Sequence, residues 1–360
     1  MKFLFRVDAS VSIGSGHVMR CLTLAVSLRA RGAHCHFVCR QHQGHLIELV
    51  RQRGFEVTEL PAGTGAAADD SGPAHAAWLG TSWQADAEQT RELALLMKPD
   101  WLVVDHYALD RRWEEAVRCR PAKLLVIDDL ADRAHACELL VDQNLGRSAA
   151  DYRDLVSAAC SVLTGPDYAL LRPEFARMRE ASLERRHGAP LRHMLVNMGG
   201  VDQPNATGEV LAALRGAGLP PKCRISVVMG MQAPWIAEVR ELAAQMPCAT
   251  EVLVNVSDMA ERMADSDLAI GAAGSTSWER CCLGLPTLMV VLAANQESGA
   301  AALECAGAAV LLGRADDIRG NLPATLRSIL QPGRLGQVSA TAAALVDGHG
   351  AERVLRALEA

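Results

Sequence analysis

The chain has 360 residues, 50% of them hydrophobic and 22% charged, enough for about two domains with buried cores. Thirty-six Lys and Arg face 42 Asp and Glu, a net charge of −6, and no basic stripe is interleaved with aromatics, which argues against a nucleic-acid partner. The opening apolar run is broken by Arg6 and Asp8, too short for a signal peptide; no later run reaches membrane-spanning length, and the eleven cysteines form no CxxC pair. The expectation is a cytoplasmic protein without membrane insertion, a monomer or weak homo-oligomer.

In chain order, the first half alternates strand and helix. Strands are expected at Lys2 to Val7, His34 to Cys39, Phe55 to Leu60, Trp101 to Asp105, Lys123 to Asp128 and Glu138 to Val141. A helix with apolar residues at helical spacing runs from His17 to Arg31 and stops at Gly32. The small-residue stretch from Thr64 to Pro73 reads as a long surface loop, with Trp78 and Trp83 after it expected near a binding crevice. An arginine-rich helix follows Arg172, and the break Arg185 to Pro190 is taken as the domain boundary. The second half restarts with strands at His193 to Asn197, Arg224 to Met229, Glu251 to Val254, Leu268 to Gly271 and Thr287 to Leu292. Such alternation predicts an α/β protein with two doubly wound, Rossmann-like domains facing a central cleft. The expected division is 1–165, a connecting segment 166–190, a second domain 191–348, and a C-terminal helix 349–360 packing back on the first domain.

Two turns stand out as chemistry-bearing. Asp8 to His17 joins a strand to a helix through Gly14, Ser15 and Gly16, so the first helical amides face an opening that suits a negative group. His17 lies at that helix mouth, where the positive helix end favours a neutral imidazole able to take a proton from water. A surface or satisfied core histidine is the plainer alternative. The spacing lacks the third glycine of the dinucleotide fingerprint, so nicotinamide is not expected. In the second half, Gly271 to Glu279 leaves another strand for a helix. Its amides and hydroxyls suit a diphosphate, and Glu279 suits a pair of ribose hydroxyls, although Ser275 as an ordinary N-cap and Glu279 as a first-turn acid are equally natural. Gly199 and Gly200 after the strand ending at Asn197 favour a nucleotide.

Metal binding finds little support. Cys35 and Cys39 would lie about 13 Å apart along one strand, too far to share a zinc ion. Asp265-Ser266-Asp267 looks like a metal-binding DxD but precedes a strand, whereas sites in open parallel sheets follow strands.

Taken together, Arg6-Val-Asp8-Ala-Ser, Ile13-Gly-Ser-Gly-His-Val-Met-Arg-Cys-Leu-Thr-Leu24, Trp78-Leu-Gly-Thr-Ser-Trp83, Asp105-His-Tyr107, Ile127-Asp-Asp129, Tyr168-Ala-Leu-Leu-Arg172, Gly199-Gly-Val-Asp202 and Gly274-Ser-Thr-Ser-Trp-Glu279 closely resemble the UDP-2,4-diacetamido-2,4,6-trideoxy-beta-L-altropyranose hydrolases of pseudaminic acid biosynthesis. The glycine elements are shared with GT-B glycosyltransferases. The resemblance implies a GT-B fold and metal-independent, cofactor-free cleavage of the anomeric C–O bond with inversion, releasing UDP. It implies that His17 is the base, that Arg6, Asp8, Gly14, Ser15, Gly16 and Tyr107 surround the sugar, and that Arg172, Gly199, Gly200, Gly274, Ser275 and Glu279 hold UDP. Asn295 and Gln296 fall near the pyrophosphate or sugar. The alternatives are a GT-B transferase of a UDP-amino sugar and a non-catalytic nucleotide-sugar binding protein; departures at Asn197 and at Asp202 to Asn205 leave the sugar stereoisomer open.

Overall fold

The computed structural model describes residues 1–63, 72–220, 222–231 and 233–359. Most of the small-residue stretch from Thr64 to Pro73 lies outside the described residues. Contacts divide the chain into two units: Met1–Leu170 with Gly350–Ala360, and Leu171–His349.

The first unit carries seven parallel strands: β1 (Lys2–Val7), β2 (His34–Arg40), β3 (Glu56–Leu60), β4 (Trp101–Asp105), β5 (Lys123–Ile127), β6 (Leu139–Asp142) and β7 (Ser161–Thr164), in spatial order β3-β2-β1-β4-β5-β6-β7. The central strands are buried on both faces, as parallel sheets with helices on either side require. Phe3, Phe5 and Val7 of β1 enter one core with Val18, Leu24 and Leu28 of the helix Gly16–Ala30. Leu4, of opposite parity, enters the other with Trp113 and Leu102. The C-terminal helix Gly350–Glu359 adds Val354, Leu355 and Leu358 to the first core. Glycine is required where it begins, because a Cβ on Gly350 would lie 2.2 Å from the carbonyl oxygen of Ala169.

The second unit has six parallel strands: β8 (His193–Asn197), β9 (Arg224–Met229), β10 (Thr250–Val254), β11 (Leu268–Ala272), β12 (Thr287–Val291) and β13 (Val310–Arg314), ordered β10-β9-β8-β11-β12-β13. In each sheet the order reverses beside the first strand, between β1 and β4 and between β8 and β11. In open α/β sheets the loops diverge at such a point, at the carboxyl ends of the strands, and ligands usually bind in the crevice between them.

Three features depart from the expected elements. Strands β7 and β13 were not among the expected strands: β7 has only Val162 and Leu163 as apolar residues, and the Val310-Leu311-Leu312 run of β13 is cut short by Gly313. The break at Arg185 to Pro190 falls inside the second unit. Arg185 donates to the carbonyl oxygens of Ala264 and Ser266 at 2.9 and 2.7 Å, and Arg186 to that of Met263 at 2.6 Å, so these arginines satisfy the C-terminal carbonyls of the helix Met259–Asp265. The helix Pro173–Arg186 is thereby part of the second unit, and the 166–190 segment is shared between the units rather than standing as a linker. Asp267 accepts from Arg185 and from the amides of Arg192 and His193, a local structural role at the amino-terminal end of β11.

Among the described residues no helix is long and apolar enough to cross a membrane.

One buried charge cluster ties the first sheet to its neighbouring helix. Asp86, in the first turn of the helix Trp83–Met97, accepts from Arg6 Nη2 at 2.7 Å, Arg40 Nη2 at 2.6 Å and Trp113 Nε1 at 3.0 Å. Replacing Asp86 by Ala removes the carboxylate that two buried guanidinium groups share, and is expected to cost the first unit about 3–5 kcal/mol in chemical denaturation.

Candidate active site

The first crevice is built by the turn after β1. Ser10 accepts the amide of Gly14 at 2.9 Å through its carbonyl and those of Ser12 and Ile13 through its hydroxyl. Gly14 sits at φ +80°, a left-handed conformation that glycine adopts without strain, and turns the chain into the helix Gly16–Ala30. That helix has no acidic residue in its first turn and no side-chain cap, leaving its leading amides without partners from these groups. Glycines 14 and 16 and Ser15 thus occupy the mouth foreseen for them.

His17 is the second residue of the helix and 7% exposed. Its Nδ1 lies 2.6 Å from Oδ1 of Asp105, the last residue of β4. An ionised carboxylate only accepts, so Nδ1 carries a proton, and in the neutral ring the lone pair is on Nε2. One turn along the helix, Arg20 grips the same carboxylate with both arms, Nε to Oδ2 at 2.6 Å and Nη2 to Oδ1 at 2.7 Å. Burial alone would raise the Asp105 pKa; the charge of Arg20, with the hydrogen bonds that Arg20 and His17 donate, overcomes it and holds the group well below the usual carboxylate range. Arg20 Nη1 reaches Asp129 Oδ2 at 2.7 Å, and the Tyr107 hydroxyl donates to the same oxygen at 2.5 Å. The Tyr107 ring meets His17 edge-on, 4.5 Å between centroids, and Trp78 stacks on Tyr107 at 5.8 Å. Trp83 is placed differently from Trp78: its ring lies under the Arg112 guanidinium at 5.4 Å.

Arg6 and Asp8 need correction. Both are 0% exposed and pair with each other, Arg6 Nη2 donating to Asp8 Oδ2 at 2.8 Å, while Asp8 Oδ1 accepts the amide of Arg40 at 2.7 Å. Their side chains brace the turn from beneath, and with every face enclosed by protein they cannot surround a sugar. Asp105, Arg20 and Asp129 were not assigned roles from the sequence. The signal available was positional: an acid ending the strand next to β1 points into the switch-point crevice.

In the second unit, Gly199 and Gly200 follow β8, and Gly274 and Ser275 follow β11, its immediate neighbour. Gly199 is at φ +87°, and the close approach of Gly200 is marked by Gly230, whose Cβ would meet the Gly200 carbonyl oxygen at 1.9 Å. Arg172 Nη2 lies 3.4 Å from Glu279 Oε1 and Nη1 lies 3.0 Å from Glu174, while Arg172 Nε is buried without a partner. Burial pushes the Glu279 carboxyl above its ordinary value against the pull of Arg172. Gln296 is half-buried beside Gly274 and accepts the Leu292 amide at 2.9 Å; Asn295 is exposed on the same turn. The residues named for UDP therefore gather at one end of one sheet. Among the described residues, no group of three or more His, Cys, Asp or Glu is arranged to hold a metal ion.

Comparison with known proteins places this geometry. Residues 228–352 match the glycosyltransferase family 28 C-terminal domain. Over 305 residues the chain is 26% identical to the UDP-2,4-diacetamido-2,4,6-trideoxy-beta-L-altropyranose hydrolase of Campylobacter jejuni, covering 83% of this chain and 95% of that protein. An uncharacterised protein of Methanocaldococcus jannaschii is 25% identical over 300 residues; the match takes in 82% of this chain but spans only 56% of that protein's length. The crystal structure of MurG from Acinetobacter baumannii superimposes with a TM-score of 0.70 at 16% identity, covering 99% of both chains. The chain has the GT-B fold, and the resemblance to the hydrolase read from its motifs extends along most of its length.

Acid should loosen the first unit through its ionised carboxylates. Burial raises and Arg133 and His135 lower the Asp128 pKa, with a net fall from 3.8 to about 2, in the same direction as Asp105. Stabilisation from such groups is complete above about pH 4 and drains as pH falls through the folded-state values. Denaturation midpoints of the first unit are expected to decline between pH 4 and pH 2, with a shallower decline in Asp105→Asn.

Proposed function

We propose that the protein hydrolyses a UDP-linked, N-acetylated amino sugar at the anomeric carbon, releasing UDP and the free sugar with inverted configuration. The substrate we favour is the 2,4-diacetamido-2,4,6-trideoxy sugar named for the C. jejuni relative. The observation that carries the reading is the His17–Asp105 pair: a histidine whose Nδ1–H is engaged by a buried carboxylate presents an unprotonated Nε2.

In this mechanism Nε2 of His17 takes a proton from water while the water oxygen attacks the anomeric carbon from the face opposite UDP. The C–O bond breaks, and its electron pair leaves with the diphosphate oxygen. Because UDP is a good leaving group once its charge is held, one base suffices and no carboxylate pair of the glycosidase kind is needed. The roles proposed for Arg172, Gly199, Gly200, Gly274, Ser275 and Glu279 are to hold UDP, with Asn295 and Gln296 at the pyrophosphate or sugar. Gly14, Ser15, Gly16 and Tyr107 would meet the sugar side, with Arg6 and Asp8 acting from below. No metal takes part in the proposed step.

A second reading, transfer of the sugar to an acceptor hydroxyl, draws on the match to a glycosyltransferase C-terminal domain. The two part in a single assay. Protein treated with chelator is incubated with UDP-linked amino sugars, and UDP release and anomeric configuration are followed by NMR. Hydrolysis predicts release with inversion and no acceptor; binding without release favours the transferase or a binding protein. In the same assay His17→Ala is expected to lose about 10²–10⁴-fold in kcat, the usual worth of a general base, while UDP affinity stays within about twofold.

A further inference from the structure

Beneath the His17 network lies a second buried cluster to which the proposed mechanism gives no part. Strands β5 and β6 are neighbours, and at their carboxyl ends stand Asp128 and Asp142, both 0% exposed. The Tyr152 hydroxyl, also buried, lies 2.9 Å from Asp128 Oδ2 and 2.8 Å from Asp142 Oδ2. A phenol has one proton and can donate to only one of these oxygens. With both carboxylates ionised, the other contact would set lone pair against lone pair in a buried site, so one carboxyl must carry a proton.

The surroundings decide which. Asp128 pairs with Arg133 at 2.8 Å and accepts the Ala131 amide at 2.8 Å, support that favours its ionised form. Asp142 has the Asn144 amide at 2.9 Å and Arg147 Nε at 3.2 Å, and faces the negative charges of Asp128 and Asp129. From other elements packed near it, Glu352, Arg353 and Arg356 come from the helix Gly350–Glu359, His135 acts on Asp128, and β7 supplies no titratable side chain. Resting on the functional reading above, we infer that Asp142 is a positioning residue for the His17 site, held as a neutral acid that donates to Tyr152 while Tyr152 donates to Asp128. Burial, reinforced by Asp129 and Asp128, pushes the Asp142 carboxyl up to about 7, in keeping with this assignment.

The path to His17 is short. Arg147 Nη2 donates to the Leu130 carbonyl at 2.8 Å and the Asp129 carbonyl at 3.3 Å, and Asn144 Nδ2 donates to the Asp129 carbonyl at 3.1 Å. Asp129 in turn holds Arg20 and Tyr107. Ionising Asp142 sets a third negative charge beside Asp128 and Asp129 and draws Arg147 away from the two carbonyls it bridges. The segment that fixes Arg20 and Tyr107 then slackens.

Two measurements on the full chain test this. Carbon NMR of the wild type should show one carboxyl titrating near pH 7, absent in Asp142→Asn, and the Tyr107 ring signals should follow that step and lose it in the variant. For UDP release from the diacetamido sugar, wild-type kcat is expected to fall about tenfold or more from pH 6.5 to pH 8.5. Asp142→Asn, whose amide N–H can donate to Tyr152 as the acid does, should keep the rate at pH 6.5 within about threefold and lose that alkaline fall. An alkaline limb that persists unchanged in Asp142→Asn, or a wild type with no carboxyl titrating above pH 6, overturns the inference. Absence of UDP release with the NMR coupling intact would count against the hydrolase reading alone and uphold the coupling of Asp142 to the site.

Discussion

Everything at the first crevice hangs on the carboxylate of Asp105. It ends β4, directly beside β1, and takes hydrogen bonds from His17 and from both arms of Arg20. Without those partners a fully buried carboxylate would be costly to keep ionised. With them it locks one tautomer of His17 and fixes the first turn of the helix against the sheet. Arg20 then carries the constraint outward to Asp129 and Tyr107, so the base, its orienter and the neighbouring aromatic wall form one connected set.

A second buried set lies on the other side of β1. Arg6 and Arg40 balance Asp8 and Asp86, and the turn leading to Gly14 begins at Asp8, between these two networks. Charges buried this deeply are poor contributors to stability in themselves, yet removing one partner is severe. The arrangement suits a turn that must hold its shape at the mouth of a helix. In the second unit the equivalent crevice is formed mainly by backbone, glycines on β8 and β11 loops, with Arg172 and Glu279 as its charged pair.

Much of this was legible in the sequence. Strand and helix alternate with strong apolar patterning in the buried strands, so eleven strands could be placed, while β7 offers only two apolar residues and the three-residue apolar run of β13 ends at Gly313, too little to mark a strand. His17 and the glycines around it showed through the turn chemistry. Asp105, Arg20 and Asp129 did not, because their roles come from strands and a helix brought together over sequence separations of 85 and 109 residues, which no local pattern encodes. Arg6 and Asp8 were given a place at the sugar by the resemblance alone, and no local pattern shows that Asp86 and Arg40 pack over them and enclose them. The arginines at 185 and 186 looked like the edge of a linker, whereas they cap a helix.

The most direct test of this account is the protonation of the His17 ring, read by nitrogen NMR on imidazole-labelled protein near pH 8. The account predicts the proton on Nδ1 and a lone pair on Nε2, with the Nδ1 signal changed in Asp105→Asn. A ring protonated at Nε2, or one indifferent to Asp105, would contradict it and remove His17 as the base.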